Sequence, residues 1–67
     1  MREFLIWAIP EENRLRIGAL RADYSPLPFG ADVITRVPNA DLDMMMRWVK
    51  RRAKRGWPVE KIRAACE

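Results

Sequence analysis

Phe4-Leu5-Ile6-Trp7-Ala8-Ile9, Pro10-Glu11-Glu12-Asn13 and Arg14-Leu15-Arg16-Ile17 follow one another without a break, and their reading decides the fold. The first piece is an unbroken apolar run of aromatic and branched side chains. It is short for a helix and closed by a proline, so it reads as a strand buried on both faces. The second piece is turn chemistry, with Pro able to open a type I turn and Asn able to take a left-handed conformation. The third alternates polar and apolar, the two-residue period of a half-exposed strand. Together they predict a β-hairpin over 3–9 and 14–21, with Leu15, Ile17 and Ala19 facing inward. Gly18 marks a bulge or a close approach of backbone and side chain.

Downstream, Asp23 to Gly30 carries two prolines, Pro26 and Pro28, and reads as a loop with Phe29 tucked beneath it. Val33-Ile34-Thr35-Arg36-Val37 is a third strand, over 32–37, stopped by Pro38. Asn39 suits a helix N-cap, and Asp41 and Asp43 sit where the helix dipole favours anions. The helix is expected over 40–55, with Gly56 closing it as the left-handed residue past its end. Pro58 suits the first position of a second, short helix, whose stripe is Val59, Ile62 and Ala65 or Cys66. The expected fold is α+β, one domain over 1–67: a small three-stranded antiparallel sheet, made of the hairpin and one more strand. It packs against a basic amphipathic helix, with a short C-terminal helix following. Trp7, Ile6, Leu42, Met45 and Val49 are the expected core.

At 67 residues the core is small, because a chain this short buries only about 60% of its unfolded surface. One cysteine, Cys66, excludes an internal disulfide, and the absence of His removes the usual zinc sets. Apolar residues make up 49% of the chain, with three Trp and four Met. That is more than one such core hides, so part of the surface is expected to serve self-association, possible dimerisation included, or partner binding. Phe4 to Ile9 is too short for a signal peptide, and Pro10-Glu11-Glu12 is no cleavage site. No stretch approaches the ~20 apolar residues of a membrane span. A lone thiol without a leader fits the cytoplasm.

The charge is unevenly placed. Arg47 to Arg55 reads R-W-V-K-R-R-A-K-R, six cations in nine residues. Met44 to Glu67 holds eight Lys/Arg against two Glu, whereas Met1 to Asp43 holds five Arg against seven acids. On a helical wheel Leu42, Met45, Met46, Val49 and Ala53 fall within about 100°. Lys50, Lys54, Arg47, Arg51 and Arg55 take the opposite arc in that order. Trp48 and Met44 lie on the border, with Arg52 beside Trp48. Basic faces are often only solvated surface, but such faces usually mix signs. Here Arg47–Arg51, Lys50–Lys54 and Arg51–Arg55 are like-charge i,i+4 pairs, and tolerating them points to an anionic partner.

Thr35-Arg36-Val37-Pro38, Leu42-Asp43 and Gly56-Trp57-Pro58-Val59-Glu60-Lys61-Ile62 give the half-chain from Val33 onward a pattern that resembles the ribbon–helix–helix repressors. The resemblance implies a strand that reads DNA through its outward positions, here Asp32, Ile34 and Arg36. The pattern departs from that family in three ways. Pro38 to Gly56 is about one helical turn too long, the last helix is short, and those outward residues are poor base readers. The chain is not assigned to the family on this ground.

Enzymatic chemistry is not expected. There is no His, and Ser25, Thr35, Tyr24 and Cys66 are each the only residue of their kind, which leaves no nucleophile–base–orienter set. No metal, cofactor or catalytic residue is assigned. Two binding roles remain. In the first, a small regulator or accessory protein, as a monomer or a homodimer, holds nucleic acid, DNA before RNA, through the phosphate backbone. In the second, a phage-type or mobile-element inhibitor or adaptor docks on an acidic host-protein surface or a nucleoprotein complex, as an anti-defence or host-takeover factor. Candidate contact residues are Arg47, Trp48, Lys50, Arg51, Arg52, Lys54, Arg55 and Trp57, with Trp48, Arg52 and Trp57 as the anchors of a protein interface. Membrane-surface binding is disfavoured because the apolar face of the helix is needed for the core.

Overall fold

The strands are β1 (Glu3–Pro10), β2 (Leu15–Arg21) and β3 (Asp32–Pro38), followed by α1 (Leu42–Lys54) and α2 (Val59–Cys66). These elements come from a computed structural model that describes residues 2–23 and 26–67. The sheet order is β2-β1-β3, with β1 antiparallel to both neighbours. The most apolar strand thus takes the centre, where both of its edges are hydrogen-bonded. Each predicted strand is present to within a residue or two. At the hairpin tip the Glu11 N–H donates to the Arg14 carbonyl at 2.8 Å. Asn13 does not take the left-handed conformation considered for it, since no described residue other than glycine has positive φ.

Arg21 lies beside Phe4 and Asp32 beside Ala8, so the connection from β2 to β3 runs back along the sheet. Its last turn has the Ala31 N–H donating to the Pro28 carbonyl at 3.0 Å, with Gly30 at φ 81°. This is the type II arrangement, in which the second residue stands at the corner and the third needs positive φ. Phe29 is that corner residue. It is 101% exposed, which corrects the expectation that it tucks under the loop.

Alternation gives the sheet two different faces. Ile6 and Ala8, both 0% exposed, turn toward the helices together with half-buried Leu15, Ile17 and Ala19 of β2. The inward set expected for the hairpin is therefore the observed one. The register between β1 and β3 shifts at Ile6/Trp7, leaving Ile34 as an extra residue between Val33 and Thr35. This bulge places Ile34 in the core at 4% exposure, so it is not an outward ribbon position. Trp7 also departs from expectation. It shares the odd-numbered face with Leu5 and Ile9, away from the helices, because a uniformly apolar run does not reveal which of its residues face which side. Its indole lies flat over Gly18, where an added Cβ would fall 2.2 Å from Cζ2. Gly18 is thus the close approach, and the ring covers the backbone that a glycine leaves bare.

The core consists of Ile6, Ala8, Ile34, Val37, Val49, Val59 and Ile62, with Leu42 and Met45 half-buried against it. α1 lies against β2 and β3, and α2 lies against β3. α2 is also tied to that edge strand by Arg63, whose Nε donates to the Val33 carbonyl at 3.0 Å. Covering an edge carbonyl in this way makes the strand a poorer template for unwanted pairing. Among the described residues, no helix is long and apolar enough to cross a membrane.

Both helix starts differ slightly from the expected ones. Asn39–Asp41 forms a 3₁₀ turn, and α1 begins at Leu42 without a side-chain cap from Asn39 or Asp41. The extended residue before this turn is Pro38, so Asn39 already lies inside the turn and not at its mouth. Pro58 is the extended residue before α2, one position earlier than expected. The end of α1 follows the sequence closely. Gly56 has φ 88°, its N–H donates to the Ala53 carbonyl at 3.0 Å, and the Trp57 N–H donates to the Arg52 carbonyl at 3.2 Å. These two bonds are the paired closure of a Schellman motif.

Candidate functional site

The wheel derived from sequence holds around α1. Val49 is buried, Leu42, Met45, Met46 and Ala53 are half-buried, and Arg47, Lys50, Arg51, Lys54 and Arg55 are exposed. Those five cations form one convex strip. Among the described residues the ion pairs are Arg14–Glu11 at 3.3 Å, Arg16–Glu11 at 3.0 Å, Arg21–Asp23 at 3.0 Å and Arg36–Glu3 at 2.6 Å. All lie on the sheet and its turns, and none involves a cation of α1. The hydrogen bond from Arg21 holds the Asp23 carboxyl below the usual carboxylate range. The strip on α1 therefore faces solvent without a carboxylate partner among the described residues. Like-charge repulsion along it is offset only in part by the helix dipole, which favours cations at a C-terminus.

The other predicted contact residues are placed differently. Arg52 is half-buried between two indoles, its Cζ 4.7 Å from the centre of the Trp48 ring and 5.3 Å from that of Trp57. The two rings meet edge to face, with centroids 6.3 Å apart and an 84° interplanar angle. Lys61 adds its Nζ at 4.2 Å over Trp57. The Schellman closure explains the cluster, because it brings the residue two past the C-cap, Trp57, back over the last turn, where Arg52 sits. Trp48 lies one turn earlier on the same side. The cluster clamps α1 to the start of α2. Three residues expected as partner anchors thus have an internal role, and Lys61 was not anticipated in it.

A groove of about 390 Å³ runs between β2 and α1, lined by Arg14, Leu15, Arg16, Ile17, Lys50, Ala53 and Lys54. Alternation turns Leu15 and Ile17 under the helix and the Arg14 and Arg16 side chains toward the other face of the sheet, where Glu11 pairs with both. On the other flank, Met44, Met45, Trp48, Ala65 and Cys66 line an apolar hollow of similar size, and Met44 is 59% exposed. Burial pushes the Cys66 thiol above its ordinary pKa, so it is not poised as a nucleophile. No protein-family model, curated protein or solved structure matches this chain.

Proposed function

We propose that this chain binds nucleic acid in a regulatory or accessory role, with α1 lying along the phosphate backbone. The observation that carries this reading is the exposed strip of Arg47, Lys50, Arg51, Lys54 and Arg55, which has no carboxylate partner among the described residues. A chain with nine acids had the means to neutralise such a strip. A polyanion supplies the missing charge by displacing condensed counterions. Arginine, which predominates, takes phosphate oxygens in a bidentate fork. The contacts fix position on the backbone and read little sequence, because no Asn or Gln lies on α1. Docking on an acidic protein is the weaker reading, since Trp48, Arg52 and Trp57 are engaged with one another.

The test is a gel shift on a 20-base-pair DNA duplex with Arg47, Arg51 and Arg55 all changed to Glu, and thermal melts run beside it. The proposal expects binding to vanish while the melt is kept, because the three side chains lie on the solvent arc. Undiminished binding by the folded triple variant overturns it.

A further inference from the structure

The two edges of the sheet are finished differently. Successive residues of an antiparallel strand turn their backbone groups to opposite sides. The Glu11 N–H donates to the Arg14 carbonyl and the Ala22 N–H to the Glu3 carbonyl, each at 2.8 Å. Those two bonds fix the phase of the ladder. Arg16, Gly18 and Leu20 bond to β1, while Leu15, Ile17 and Ala19 turn their N–H and C=O groups to the open side. On β3 the same alternation turns Val33 and Pro38 outward. There Arg63 occupies the Val33 carbonyl, Pro38 has no N–H to offer, and the bulge at Ile34 breaks the row. Each of these devices discourages strand pairing. β2 has neither proline nor bulge. Among the described residues, no hydrogen bond reaches the open-side groups of Leu15, Ile17 and Ala19.

We propose that this edge takes a second copy of the chain, whose β2 pairs antiparallel to the first and joins the two three-stranded sheets into one. The row is self-complementary. With Ile17 of one copy opposite Ile17 of the other, Leu15 falls opposite Ala19, and each opposed pair exchanges two backbone bonds. The side chains select that register. On the helix side Ile17 meets Ile17 and Leu15 meets Ala19, all apolar and all half-buried in the single chain. On the other side Arg16 falls opposite Gly18, whose backbone the Trp7 indole covers, so a cation meets an aromatic ring. Sliding the pairing by two residues toward the hairpin turn sets Arg16 against Arg16, which like-charge repulsion disfavours. Sliding it the other way sets Leu15 against Arg21, whose guanidinium already holds Asp23. A second copy is favoured over an unrelated peptide because its side chains suit every opposed pair. Paired residues point to the same face, so both α1 helices stand on one side of the joined sheet. The pairing does not depend on the nucleic-acid reading.

Sedimentation equilibrium and amide hydrogen exchange followed by NMR test the pairing on the intact chain. The mass should climb from one chain toward two as the concentration rises from roughly 10 µM to roughly 1 mM. Over the same range exchange at Leu15, Ile17 and Ala19 should slow by at least about tenfold, and by less at Arg16, Gly18 and Leu20, which β1 already protects. Ala19→Pro removes one open-side N–H and no bond to β1, so it should return the chain to monomer mass with its thermal melt retained. A synthetic chain carrying an N-methyl group on the Ile17 nitrogen removes another open-side donor and alters no side chain. It should be monomeric too, and it decides the matter if the proline variant does not fold. A parent chain that stays at monomer mass throughout the range overturns the proposal and leaves the edge to a different extended peptide. A dimer that survives N-methylation of Ile17 overturns it as well. So does a dimer in which Leu15, Ile17 and Ala19 exchange as they do in the monomer, because it is built on another face.

Discussion

Replacing Arg52 separates packing from charge in the clamp between the two helices. Its guanidinium carbon sits 4.7 Å and 5.3 Å from two indole centroids, and a half-exposed cation–π contact contributes about 0.5–1 kcal/mol. Truncation to Ala also strips two methylenes, Cγ and Cδ, from the rings, at about 0.8 kcal/mol per fully buried methylene and less at partial burial. Two effects oppose the loss. The i,i+3 repulsion from Arg55 is relieved, which returns a few tenths of a kcal/mol. Arg52 Nε is buried with no hydrogen-bond partner among the described residues, and removing such a donor recovers part of its desolvation cost of about 1–3 kcal/mol. The balance for Arg52→Ala is a loss of about 1 kcal/mol, read as a fall of roughly 4–8 °C in Tm for a domain of this size. Arg52→Met keeps the stem and discards the donor, so it should stay within about 0.5 kcal/mol of the parent. Urea denaturation followed by far-ultraviolet circular dichroism measures all three proteins. If Arg52→Met falls as far as Arg52→Ala, the charge holds the clamp and the packing argument is wrong.

Gly18→Ala forces a methyl group into the Trp7 ring and should cost about 1–3 kcal/mol, as overpacking does; it should be largely rescued by Trp7→Leu in a double-mutant cycle on urea midpoints. Val49→Ala removes two fully buried methyl groups and leaves a cavity, so a loss of about 2–3 kcal/mol is expected in the same assay. Cys66 should react slowly with iodoacetamide at pH 7 in the native state and quickly in urea, because burial raises its pKa when folded. Since the folded value lies above the unfolded one, this thiol favours folding below its unfolded pKa, and the contribution fades as pH climbs through the folded one.

Local chemistry made most of the architecture legible. The alternation of Arg14 to Ile17 gave β2 both its extent and its inward face. Gly56 and the apolar stripe of Leu42 to Ala53 gave α1 its end and its buried side. The run from Phe4 to Ile9 gave a strand but no phase, since every residue in it is apolar; only pairing with Gly18 and Val33 settles where Trp7 points. The bulge at Ile34 depends on long-range register, which no local pattern encodes, whereas the exposure of Phe29 follows from its corner position in the turn that Gly30 closes. In the candidate site, exposure of the five cations followed from the wheel. The clamp of Trp48, Arg52 and Trp57 arises from how separate elements pack.

The salt dependence of binding to a DNA duplex tests the central claim most directly. Five cations on α1 with no carboxylate partner among the described residues, if all reach phosphates, predict a slope near −4.5 in log affinity against log salt, at about 0.9 per phosphate neutralised. A slope close to zero, or no binding at low salt, would contradict the account.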